Sequence, residues 1–183
     1  MASSVIDSKL FKDQYGTPEM RHVFSEENQI QKWLDAWAAL AKAEAAEKII
    51  PLAAAQEIQD KAVFNNIDMN EVREGFKKTS HPLMPQIKSF SKSLSKEAGK
   101  YVHWGATTQD ITDTGLVLQL KDASKIISSQ LEQLLQISLK QAIQYKSLVM
   151  AGRTHAQQAV PITLGYKIAI WANELGHHLE RLQ

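Results

Sequence analysis

QDITDTGLVLQLKDASKIISSQLEQLLQISLKQAIQYKSL, residues 109–148, decides the fold. Leu116, Leu120, Ala123, Ile127, Leu131 and Leu134 recur at spacings of three and four, the repeat of one helix face. At 1.5 Å per residue the pattern predicts a single helix roughly 57 Å long. One helix cannot bury such a stripe alone, so the stretch predicts a member of a bundle or coiled coil. Loop-like sequence flanks it on both sides, at 99–108 and at 151–161. After the second loop Leu175, Leu179 and Leu182 stay in helical period up to Gln183, with no capping signal. The chain reads as cut short, and its apolar seam is expected to be covered by further chain or by other subunits.

Upstream, Ser25-Glu26-Glu27-Asn28 has the character of an N-cap followed by acids in the first turn. Ile30, Trp33, Leu34, Trp37, Leu40, Ala41 and Glu44 follow at helical spacing, and only Glu44 is polar. Pro51 is expected to end this helix. Shorter helices are expected at 52–63 and 68–78, the second capped by Asp68. His81-Pro82 breaks the chain, and another helix is expected over 82–98. No alternating pattern of useful length predicts a strand. The fold class is therefore all-α: a small N-terminal helical domain, residues 1–104, followed by the first long helices of a bundle, residues 105–183.

Composition restricts the function classes. The chain has 183 residues, 44% hydrophobic and 22% charged, ordinary for a soluble globular protein. Lys and Arg number 21 against 20 Asp and Glu, a balance that gives no reason to expect nucleic acid or an anionic membrane as partner. The absence of cysteine excludes disulfides, thiolate chemistry and Cys-based zinc sites. Met1-Ala2-Ser3-Ser4 lacks the features of a secretory signal, and no apolar run is long enough to span a bilayer. A cytoplasmic location is the expectation.

Three stretches concentrate polar side chains beside helix starts. In Gly105-Ala106-Thr107-Thr108-Gln109-Asp110 the hydroxyls of Thr107 and Thr108, with the first-turn N–H groups, suit a carboxylate. Spacing alone also fits an ordinary Thr cap with Asp110 in the first turn. Gly152-Arg153-Thr154-His155-Ala156-Gln157-Gln158 gathers a cation, a hydroxyl, an imidazole and two amides, a set suited to anion binding and proton transfer. It reads equally as a polar interhelical loop. His81, in Thr79-Ser80-His81-Pro82, stands just before a helix start, either facing an anion or lying on a surface turn. His22, His177 and His178 read as solvated surface.

Taken together, these stretches resemble the fumarase/aspartase superfamily. The first region of that family reads roughly Gly-x-Thr-Ser/Thr-x-Asp-x-x-Asp-Thr, and Gly105 to Thr114 is similar to it. The second reads Gly-Arg-Thr-His-x-Gln-x-Ala-x-Pro, matched from Gly152 to Pro161. Tyr15 to Arg21, Phe24 to Asn28 and His103-Trp104-Gly105 resemble the branch containing adenylosuccinate lyase and carboxymuconate cycloisomerase. The resemblance implies a homotetrameric lyase with shared active sites, cleaving a C–N or C–O bond of a succinyl-type dicarboxylate to give fumarate. It implies no metal and no organic cofactor. It places Thr107, Thr108, Asp110, Arg153, Gln157 and Arg21 at the substrate, and Thr154, His155 and His81 in catalysis, His155 as general acid.

The pattern also departs from the family. The downstream loop Gly-Ser-Ser-x-Met-Pro, with its Ser base, is not among these residues, so the piece alone is expected to be inactive. Gln14 and Thr17 stand where adenylosuccinate lyases usually carry Arg, and Gln158 where many carry a second His. Carboxymuconate cycloisomerases typically carry Trp at the position of His155. The alternatives are therefore a cycloisomerase, or a non-catalytic helical assembly protein on the same scaffold.

Overall fold

The computed structural model describes residues 4–6 and 8–182. Met1-Ala2-Ser3 of the N-terminal reading and Gln183 lie outside the described residues. The described residues are overwhelmingly helical and divide into two compact units, 1–122 and 123–183.

In the first unit α1 is Pro18–Val23, α2 Glu26–Ala46, α3 Leu52–Lys61, α4 Met69–Thr79 and α5 Met84–Ser93. The expected caps form: Ser25 Oγ accepts from Asn28 N at 3.2 Å, and Asp68 Oδ1 accepts from Asn70 and Glu71 N. Two boundaries differ from expectation. α2 ends at Ala46, where Glu47 closes the helix and Lys48 turns left-handed at φ 61°, so Pro51 opens α3 rather than ending α2. α5 stops at Ser93, and Ala98–Tyr101 is a separate 3-10 turn. The core lies under the stripe of α2. Trp37, Leu34, Ile58, Leu83 and Phe90 are essentially inaccessible, and Trp37 stacks on Phe90 with ring centroids 6.0 Å apart. Full burial of each such side chain contributes about 1.5–3 kcal/mol. Gln31 fastens α2 to the end of α3, donating to Ala62 O and accepting from Phe64 N.

α6 spans Thr108–Gln144, 37 residues, close to the predicted length. Much of its stripe stays uncovered: Leu116, Leu120, Ile127 and Leu134 are all more than 40% exposed, while Ala123 is buried. No described helix is long and apolar enough to cross a membrane.

The second unit corrects the expectation of no strands. Val149–Thr154 (β1) and Gln157–Thr163 (β2) form an antiparallel hairpin, with Val149 opposite Thr163 and Thr154 opposite Gln157. The register slips between Ala151 and Arg153, a β-bulge centred on Gly152. A Cβ there would lie 2.6 Å from Val160 O, so only glycine fits the close approach. α7 follows as Leu164–Leu182, its start tied to the end of α6 by Leu164 N donating to Leu148 O and Gly165 N to Tyr145 O.

Candidate active site

The first unit assembles an acid–base cluster around the turn that leads into α6. Thr107 precedes the helix, and its N–H donates to Asp110 Oδ2 at 2.8 Å, so the third helical residue reaches back to the cap as in a capping box. The Thr107 amide is therefore committed to Asp110. What remains for an anion is the pair of hydroxyls on Thr107 and Thr108 and the amides of the first turn.

His103 stands beside this helix start. It is half-buried and adopts a left-handed φ of 64°, a conformation that costs a non-glycine residue about 1–3 kcal/mol. Gly105, at φ 66°, takes the same region at no such cost. Trp37 Nε1 donates to His103 Nδ1 at 3.1 Å. Burial holds the imidazole below the usual His range; Asp110 pulls it up and His81 pushes it further down. Asp110 and His81 thus each lie within electrostatic reach of His103. His103 is the group that sequence reading missed, present there only as part of a motif.

His81 lies in the turn just before α5. Its Nδ1 accepts from the N–H groups of Leu83 and Met84, at 3.2 and 3.0 Å, so the ring caps α5 and only Nε2 is available to a ligand. Ser80, left-handed at φ 51°, sets up this turn. Behind the cluster, a Cβ at Gly105 would stand 3.7 Å from Glu44 Oε1. Glu44 is buried, its Oε2 has no hydrogen-bond partner among the described residues, and burial raises its carboxyl. A lone charged residue on an apolar stripe was the sequence signal for it. A hollow of about 270 Å³ lies against Gly105, Ala106, Asp110 and Thr114.

Arg21 sits apart from this cluster's hydrogen bonds. Its guanidinium donates to Lys12 O, Gly16 O and Asp13 Oδ1, the last at 2.6 Å, and so braces the N-terminal turn. It also borders a hollow with Tyr15 and Phe24.

In the second unit His155 and Ala156 are the two residues that connect β1 to β2. His155 is exposed at the tip, and Ala156 carries the left-handed φ of 52° that the tight turn needs. Gln157 Nε2 donates to Thr154 Oγ1 at 3.2 Å, across the mouth of the hairpin. Arg153, Thr154, Gln157 and Gln158 border a hollow of about 430 Å³. The hairpin thus gathers the cation, hydroxyl and amides that the sequence grouped around one hollow, with the imidazole exposed at the tip beside it. His22, His177 and His178 are exposed, as read from sequence, and His178 Nδ1 pairs with Arg181. Among the described residues no group of three or more His, Asp or Glu is arranged to hold a metal ion.

Known proteins are similar to this chain in sequence and in fold. A family model described as Lyase matches residues 13–183. Adenylosuccinate lyase of Methanocaldococcus jannaschii is 44% identical over 169 residues, 92% of this chain and 37% of that protein. N-acetyl-S-(2-succino)cysteine lyase of Enterococcus italicus is 44% identical over 182 residues, 100% of this chain and 40% of that protein. The crystal structure of 3-carboxy-cis,cis-muconate lactonizing enzyme from Pseudomonas putida superposes with a TM-score of 0.90 at 36% identity, covering 96% of this chain and 41% of that one. This chain therefore spans about two fifths of the length of these relatives. It belongs to the lyase family of the fumarase/aspartase superfamily.

Proposed function

We propose that this chain supplies the first part of a lyase that eliminates an amine or hydroxyl from a succinyl-type substrate to give fumarate, by general acid–base catalysis. The observation that carries the reading is the cluster at the start of α6. Two imidazoles, His81 and His103, each have Nδ1 occupied by an N–H donor, beside the helix terminus capped by Thr107 and Asp110. That combination suits a dicarboxylate whose charge grows as a proton leaves the carbon next to a carboxylate. In the mechanism, Thr107 and Thr108 hold a substrate carboxylate. His155, on its hairpin with Thr154, Arg153 and Gln157, delivers the proton to the leaving atom. The base is a Ser on a loop outside these residues, so this chain alone turns nothing over. The assembly is a homotetramer with shared sites, in which neighbouring helices cover the exposed stripe of α6. No metal or organic cofactor takes part in this scheme.

A second reading has a specific observation behind it. The TM-score of 0.90 to a muconate lactonizing enzyme favours cycloisomerisation of carboxymuconate, a ring closure without fumarate. The relative named for a succinylated cysteine adds a sulfur leaving group to the range. The discriminating experiment offers the complete gene product adenylosuccinate, argininosuccinate, S-(2-succino)cysteine, malate, aspartate and carboxymuconate. Fumarate from one succinyl substrate supports the elimination. Lactone from carboxymuconate, with no fumarate from the others, establishes the second reading in its place.

A further inference from the structure

We propose that Trp37 is a positioning residue that fixes His103 as the neutral Nε2–H tautomer, so that the ring faces the substrate as a hydrogen-bond donor. The inference rests on the lyase reading for its functional meaning, and on geometry for its substance. An indole nitrogen only donates. A Trp37 Nε1 to His103 Nδ1 distance of 3.1 Å therefore requires a lone pair on Nδ1, which leaves the ring's proton on Nε2. Protonating Nδ1 sets two donors against each other and breaks the bond.

Trp37 is well suited to impose this. It is 1% exposed, stacked on Phe90, and meets the His103 ring edge-on at an interplanar angle of 83°. A side chain so confined has little freedom to redirect its N–H. His103 is constrained from its own backbone as well, by the left-handed φ. The charged and titratable groups around the ring are Asp110 from α6, His81 from the turn before α5, and Glu44 of α2, which lies beside Gly105. Asp110 favours the charged ring, while His81 and burial oppose it. The Trp37 bond adds to the second side. A neutral Nε2–H at this place stabilises a developing carboxylate dianion without carrying a charge that would hold the ground-state carboxylate equally well.

The test is NMR of the chain with ¹⁵N-labelled histidine, the His103 signals being those lost in His103→Gln. At neutral pH His103 shows an unprotonated Nδ1 and a protonated Nε2. Trp37→Phe mixes the tautomers and moves the His103 titration midpoint up by about one pH unit, the equivalent of one neutral hydrogen bond. In the complete gene product the acid limb of kcat/KM moves with it. If Trp37→Phe does not fold, the unsubstituted protein still decides, because the Trp37 indole N–H resonance must shift as His103 titrates. A protonated Nδ1 at neutral pH, or an indole resonance indifferent to His103 titration, overturns the proposal. Neither readout involves turnover, so an enzyme silent on every substrate with this tautomer intact removes the lyase reading and leaves the Trp37–His103 assignment standing.

Discussion

Trp37 in the middle of α2 and His103 in the turn before α6 are 66 residues apart in sequence and share a hydrogen bond of 3.1 Å. That bond connects a fully buried aromatic of the core to the acid–base cluster, so packing in the first unit and protonation at the site are one system.

The first consequence is a pH dependence of stability. Burial lowers the His103 value in the folded chain below its ordinary 6.5. Below pH 6.5 the unfolded chain takes up a proton that the folded chain refuses, so stability falls as pH drops from 6.5 towards the folded value. Above 6.5 the contribution is fully present. His103→Gln is expected to flatten this slope, read as denaturant midpoints at pH 7.5 and pH 5.5. An unchanged slope means that His103 does not titrate differently on folding.

Glu44 predicts the opposite sign. Its carboxyl is raised by burial, and Oε2 lacks a partner among the described residues. The folded chain therefore loses stability as pH rises through the ordinary carboxyl value and the Glu44 side chain is forced to ionise. Glu44→Gln is expected to stabilise the chain at pH 7 by roughly 1 kcal/mol and to have little effect near pH 4. Equal effects at both values contradict this account.

The hairpin offers a paired prediction. Gly152→Val puts a side chain against Val160 O and Ile162, and is expected to destabilise the hairpin by about 1–3 kcal/mol. Ala156→Gly relieves the left-handed φ of 52° and is expected to stabilise it by up to about 1 kcal/mol, the strain relieved outweighing the lost chain stiffness. Amide exchange of β1 and β2 reads both, and the two substitutions must move it in opposite directions.

These examples also show what the sequence made legible. α2 and α6 were readable because their information is local: an N-cap at Ser25, and stripes at three and four spacing that only a helix satisfies. The hairpin was not, because Ala151-Gly152-Arg153-Thr154 and Gln157-Gln158-Ala159-Val160 do not alternate, and the bulge at Gly152 shifts the register that alternation would have marked. The grouping of Arg153, Thr154, His155 and Gln157 was visible as a polar run, yet not that a two-residue turn presents it. His103 was visible only as part of the His103-Trp104-Gly105 motif, with no role of its own. Its partner Trp37 is distant in sequence, and its strained backbone follows from tertiary packing. His81 was visible, while the consumption of its Nδ1 by the α5 cap was not.

Asp110 separates charge from capping. It accepts from the Thr107 N–H and raises the His103 value. Asp110→Asn retains an acceptor for the cap and removes the charge, so the His103 midpoint is expected to fall while stability at pH 8 changes by less than about 0.5 kcal/mol. Asp110→Ala removes both and is expected to cost about 1 kcal/mol in addition. A His103 midpoint equal in all three proteins contradicts the proximity of these groups.

The most direct measurement of the central claim is fumarate release by the complete gene product, before and after His155→Ala, on whichever succinyl substrate it turns over. Loss of a proton-delivering imidazole is expected to lower kcat by about 10²–10⁴-fold, with the protein still folded and assembled. A variant that releases fumarate at the original rate would contradict the assignment of His155, and with it the role given to the hairpin.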